Sequence, residues 1–273
     1  MTRAAQIASA LREVRDRIAD AAARAGRSAD SVRLIAVSKK MPPEDVAAAL
    51  AAGQEDFGEN YAQELRDKRA AVATVLAAEQ VQVGANATAA PPVGLLLPRW
   101  HYLGPIQSNK VKYLAGQVAL IHSVDNGDVL AELDHRLAST AAPMMMGTID
   151  PQPCLVQVNI AGETRKGGVP PHRLAALLDR FAVSSHATCL GLMLIPPATD
   201  TVEATRRHFA ALRELAAREA AVVRPNVSLS ELSMGMSGDY VEAVAEGATM
   251  VRVGTAIFGN RARARDDDGP ALG

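Results

Sequence analysis

Apolar positions recur every three or four residues at the start of the chain. Ile7, Leu11, Val14 and Ile18 fall on one helical face, and Gly26 offers a stop. The period then changes. Val32 to Val37 is a short, bounded, largely apolar run, the mark of a strand buried on both faces. Pro42-Pro43-Glu44 opens a helix that continues through Leu50 and ends at Gly53. The same exchange of periods repeats along the chain. Further strands are predicted over 55–58, 100–103, 118–124, 154–160, 189–195, 229–233 and 250–253. Helices are predicted over 61–78, from 108, and over 128–138, 171–183, 201–221 and 240–245.

Strand–helix alternation implies a parallel sheet with right-handed crossovers. Eight strands, each but the last followed by a helix, fit a single closed (β/α)8 barrel with an extra N-terminal helix better than an open sheet. Periodicity does not see closure, so the doubly wound sheet stays open as the alternative. Residues 1–273 read as one domain. Gln80 to Pro98 is rich in Ala, Gly and Pro and reads as a loop insertion. Residues 261–273 read as a frayed, disordered tail.

Composition narrows the class. Lys+Arg is 29 and Asp+Glu is 30, for a net charge of -1, which leaves no bulk field for nucleic acid or an anionic membrane. Aromatics are 3% of residues, too few for base-stacking platforms. No run reaches the apolar length of a membrane span, and the first residues mix Arg, Asp and Ala unlike a signal peptide. The expectation is a cytoplasmic protein. Two cysteines, Cys154 and Cys189, rule out a disulfide scaffold and sit on separate strands as core residues. Six histidines without metal-ligand spacing give no metal signal.

Function in such a barrel sits at the C-terminal ends of the strands. Lys39 ends the first strand. A half-dry lysine there has a lowered ammonium pKa and can form a Schiff base. The plainer reading is a rim lysine paired with a carboxylate such as Glu59. Lys40 is the adjacent competitor, and alternation lets at most one of the two enter the mouth. Ser233-Met234-Gly235-Met236-Ser237 and Gly254-Thr255 are small, donor-rich turns after the last two strands, where barrels often hold phosphate. Their plainer reading is two tight turns with Ser237 as a helix cap. Arg252, inside an apolar strand, needs an acceptor. A structural carboxylate such as Glu231 and a ligand heteroatom are both open. His101 alone reads as a core histidine, and Met193 as packing.

Several blocks together resemble the YggS/PROSC family of pyridoxal 5′-phosphate (PLP) homeostasis proteins. They are Ala36-Val37-Ser38-Lys39, Phe57-Gly58-Glu59-Asn60-Tyr61, Trp100-His101-Tyr102-Leu103-Gly104-Pro105, Gly191-Leu192-Met193, Leu232 to Ser237, and Val251-Arg252-Val253-Gly254-Thr255. The resemblance implies a fold-type III PLP barrel, like the N-terminal domain of alanine racemase. Lys39 aligns with the family's Schiff-base lysine, and Arg252 with the arginine that faces the pyridine nitrogen. Ser233, Gly254 and Thr255 align with phosphate-binding positions, with Ser237 an addition. Asn60 lines the cofactor pocket, and His101 and Met193 fall on its wall. The implied role is PLP buffering and transfer without turnover. Its partners are PLP and apo forms of PLP-dependent enzymes, and the chain is expected to be a monomer. A one-domain PLP-dependent amino-acid racemase is the alternative. Racemases of this type carry a second acid/base with an extra β domain, for which the chain length leaves no room. A third reading is an aldolase using Lys39 without PLP.

Overall fold

The computed structural model describes residues 1–86, 97–141, 150–163, 167–198 and 201–259. The strands are β1 (Arg33–Val37), β2 (Asp56–Glu59), β3 (Arg99–Tyr102), β4 (Leu120–Val124), β5 (Gln152–Gln157), β6 (Ala187–Met193), β7 (Val227–Ser233) and β8 (Met250–Val253). They pair in parallel in chain order, and β8 returns to β1, with Ile35 opposite Arg252. That last pairing decides between the barrel and the open sheet.

Alternation divides each strand between two cores. Ile35, Leu120, Leu155, Met193 and Met250 face one another inside the barrel. Leu34, Ala36, Phe57, Trp100, Val251 and Val253 face outward, beneath the helices. Side chains two positions apart share a face. Asp56, His101, His122, Ser233 and Arg252 are therefore interior groups, whereas Ser38 and Glu59 belong to the layer between sheet and helices.

The helices are α1 (Arg3–Arg24), α2 (Pro43–Ala51), α3 (Ala62–Asn86), α4 (Gly127–Ala141), α5 (Leu174–Ala182), α6 (Val202–Ala220), α7 (Tyr240–Ala245) and α8 (Thr255–Phe258). Helix α1 is capped by Thr2, whose hydroxyl accepts the N–H of Ala5, and it buries Ile7, Leu11, Val14 and Ile18 as their spacing predicts. Arg3 ties it to Asp45 of α2 and to the carbonyl of Phe258 in α8.

Three expectations change. Residues 80–86 continue α3 instead of opening a loop: Gln80-Val81-Gln82-Val83 carries no stop, and the helix runs through Gly84. Residues 87–96 of the expected insertion, and the expected tail, lie outside the described residues. The helix expected from Ser108 is a 3-10 segment, Ser108–Tyr113, which buries Val111 and is followed by Gly116 at φ 67°. The last strand is followed by a helix after all, the four-residue α8.

Candidate functional site

Lys39 follows β1 and is half-buried. Its two neighbours are held from behind. Ser38 Oγ donates to Glu59 Oε1 at 2.7 Å. The buried Lys68 of α3 donates to the Ser38 carbonyl at 2.6 Å, to Glu59 Oε1 at 2.7 Å and to Glu64 Oε1 at 2.8 Å. Glu64 Oε1 also accepts the N–H of Lys40. Lys40 stands at φ 61°, a left-handed conformation that a side chain resists. The tripeptide around Lys39 is thus clamped on both sides.

Glu59, the carboxylate considered for Lys39, is held by Lys68 and Ser38. Its other oxygen, Oε2, is buried without a hydrogen bond among the described residues. Burial raises the Glu59 pKa despite the adjacent Lys68. The sequence reading missed Lys68. The available signal is its spacing: Glu64 and Lys68 are four apart on one helix, just after Glu59.

The loops after β7 and β8 meet at the same end of the barrel. Gly235 takes φ 90°, and a Cβ there would lie 2.5 Å from that of Ala243, so only glycine fits the turn. Ser237 Oγ accepts the N–H groups of Gly254 and Ala256 at 3.1 and 3.4 Å. It therefore stands where the first N–H groups of α8 converge, beside exposed Thr255. Gly254 abuts the Lys39 strand: a Cβ on it would lie 3.1 Å from the Val37 carbonyl oxygen. Asn60 closes the other flank at the end of β2, and its carbonyl would stand 1.9 Å from a Cβ on Gly104. Lys39, Asn60, Ser237, Gly254 and Thr255 are thereby gathered at one rim.

Ser233, Arg252, His101 and Met193 lie deeper. The hydroxyl of Ser233, a residue expected at the phosphate, accepts from Arg252 Nη1 at 2.6 Å. Arg252 Nη2 donates to the Leu194 carbonyl at 2.8 Å. Glu231, a considered partner of Arg252, instead accepts the hydroxyl of Thr249. Arg252 is 4% exposed and has no ion pair among the described residues. Burial lowers its pKa to about 10, and it remains a cation at neutral pH. His101 hydrogen-bonds His122 and Asp56, the first residue of β2, below the rim. Met193 belongs to the interior apolar cluster.

An amine on a fixed backbone, serine and threonine hydroxyls beside the start of α8 and a buried guanidinium with uncommitted donors suit a ligand with an electrophilic carbon, an anionic group and an acceptor between them. Among the described residues no group of His, Cys, Asp or Glu could hold a metal ion.

Residues 10–262 match the family described as "Alanine racemase, N-terminal domain". The chain is 38% identical to the pyridoxal phosphate homeostasis protein of Pseudomonas aeruginosa over 265 residues, covering 97% of this chain and 98% of that one. It is 37% identical to that of Aquifex aeolicus over 251 residues, 92% and 96% of the two chains. Among solved structures it resembles PipY of Synechococcus elongatus with PLP bound, with a TM-score of 0.71, 34% identity, and coverage of 93% of this chain and 100% of that one. The fold alone is shared with alanine racemase of Corynebacterium glutamicum, at 14% identity and a TM-score of 0.59. The chain belongs to the alanine racemase N-terminal domain family, among the pyridoxal phosphate homeostasis proteins.

Proposed function

We propose that this chain binds pyridoxal 5′-phosphate at the rim of its barrel and serves PLP homeostasis, holding the cofactor and passing it to apo PLP-dependent enzymes without turnover of its own. The observation that carries this reading is the convergence of Lys39, the Ser237 and Gly254-Thr255 loops, and Arg252 at one barrel end. PLP brings an aldehyde, a phosphate and a pyridine nitrogen. Lys39 is the amine for the aldehyde, on a backbone that Lys68, Glu59 and Glu64 keep in place. Ser237, Gly254 and Thr255 supply hydroxyl and N–H donors for the phosphate. Arg252 donates toward the ring nitrogen and keeps its own proton, so that nitrogen stays unprotonated. Asn60 lines the rim. His101, expected as a wall residue, and Ser233, expected at the phosphate, act from beneath the site, with Met193 in the apolar interior.

Identity of 37–38% to homeostasis proteins over nearly the whole chain, against likeness in fold alone to racemases, favours carrier over racemase. Two buried free cysteines suit a reducing cytoplasm.

The test is borohydride reduction of the PLP-loaded protein followed by peptide mass analysis. A reduced pyridoxyl group on Lys39, absent in Lys39→Ala, is expected. An adduct on Lys40 or Lys68, or none, would overturn the assignment. Formation of a D-amino acid from an L-amino acid, lost in Lys39→Ala, would establish the racemase instead.

A further inference from the structure

A line of hydrogen bonds crosses the barrel interior beneath the site. Arg99 holds Asp56 through Nε and Nη2 at 3.0 and 2.7 Å. Asp56 Oδ1 lies 2.9 Å from His101 Nε2. His101 Nδ1 lies 2.9 Å from His122 Nε2, and His122 Nδ1 lies 2.8 Å from Ser233 Oγ. Ser233 then meets Arg252. His101, His122 and Ser233 are each at most 1% exposed. The Asp56 end reaches an open cleft of about 510 Å³, lined in part by Arg33, Glu55, Asp56 and Arg99.

The direction of every bond in this line follows from its ends. Arginine only donates, so the Ser233 oxygen accepts from it. Ser233 has one proton, and among the described residues its other partner is His122 Nδ1. That proton therefore points at Nδ1. His122 then carries its own proton on Nε2 and donates to His101 Nδ1. His101 carries its proton on Nε2 and donates to the Asp56 carboxylate. Both imidazoles are neutral, and all three bonds run the same way.

The surroundings favour this state. Burial lowers both histidine pKa values: at His101 it outweighs the upward pull of Asp56, with Arg33 and Arg99 helping, and at His122 it is aided by His101, Arg252 and Arg33. At Asp56 the hydrogen bonds from His101 and Arg99 outweigh burial and keep the carboxyl ionised.

We infer that His122 is a positioning residue for the ring-nitrogen end of the site. By accepting a hydrogen bond from the Ser233 hydroxyl it turns an oxygen lone pair to Arg252. The guanidinium is then fixed between Ser233 and the Leu194 carbonyl, and its remaining donors are left for a ligand acceptor. The ligand group is an aromatic nitrogen lone pair, so the inference rests on the PLP reading. His101 and Asp56 act through His122 by fixing its tautomer.

Two measurements test it. Two-bond nitrogen-15 to proton correlation on the ligand-free protein at neutral pH reads the tautomers directly, independent of PLP. Both His101 and His122 are expected as neutral Nε2–H forms; an imidazolium or an Nδ1–H form at either would overturn the inference alone. In the second, PLP affinity is compared across variants. His122→Leu, which leaves the Ser233 proton without an acceptor, is expected to bind about tenfold more weakly. His122→Asn, whose Oδ1 can take the place of Nδ1, is expected to stay within about twofold of wild type. Should His122→Leu not fold, Ser233→Ala replaces it with the same expected loss. Wild-type affinity in the Leu or Ala variant would overturn the inference and leave the Lys39 adduct intact. No adduct in wild-type protein would overturn both readings.

Discussion

The side-chain amine of Lys68 lies 2.6 Å from the main-chain oxygen of Ser38, the residue before Lys39. One lysine of this chain therefore holds the backbone of another. Lys68 has two carboxylates, at Glu59 and Glu64, within hydrogen-bond reach, and its side chain is 5% exposed. Removing one member of such a pair leaves an uncompensated buried charge. Lys68→Met should cost about 3–5 kcal/mol in urea unfolding. Adding Glu59→Gln to it should recover part of the loss, because the stranded carboxylate is gone. A strictly additive double variant would contradict the coupling.

Lys40 offers a change of opposite sign. Its φ of 61° is strained for a side chain, by about 1–2 kcal/mol. Glycine removes that strain but adds unfolded-state freedom of about 0.5–1 kcal/mol. Lys40→Gly should be neutral to about 1 kcal/mol stabilising, since the N–H to Glu64 is kept. Clear destabilisation by the same unfolding measurement would show that the Lys40 side chain matters in its own right.

Gly104 sits against the main chain of Asn60, with no side-chain end to move aside. Gly104→Ala should destabilise by about 1–3 kcal/mol and, by displacing the end of β2, weaken PLP binding. Gly238→Ala is the control from the same end of the barrel, where a Cβ would meet nothing within 4 Å. It should be neutral or slightly stabilising. Equal effects at the two glycines would refute the assignment.

The histidine pair predicts a pH dependence. His101 and His122 have folded pKa values below the ordinary 6.5. The unfolded chain therefore takes up protons first as pH falls through that value. Stability is full above 6.5 and is lost below it, toward the folded pKa values. Thermal unfolding between neutral and mildly acidic pH should show the loss, and His122→Asn should reduce it. A flat profile over that interval would contradict the buried neutral pair.

The barrel is legible in the sequence because each strand–helix unit carries its own period, and stops such as Gly26 and Gly53 mark the changes. The rim's place is legible because strand ends follow from the fold: Lys39, Ser237 and Gly254 are placed there by that rule alone. What the sequence hides is sidedness and depth. Ser233 and Ser237 look equivalent four residues apart, yet one turns to Arg252 and the other to the α8 N–H groups. His122 lies in an apolar strand with no motif around it, and Lys68 sits on a polar helix. His122 acquires meaning only from distant partners such as Ser233, and the hold of Lys68 on Ser38 spans 30 residues, which periodicity does not register. The 3-10 segment Ser108–Tyr113 escapes for a different reason, since one short turn carries too few residues to set a period.

The pairing of β1 with β8 joins the first strand made to the last. Lys39 hangs from one side of that seam, Arg252 and Gly254 from the other. On a ribosome, the amine emerges long before the guanidinium and the N–H donors that complete its surroundings. The pocket is complete only when the ring shuts. Because that contact spans nearly the whole chain, its loop-closure entropy makes it a natural late step in folding. A ligand bridging the seam would then act as a latch, slowing its reopening.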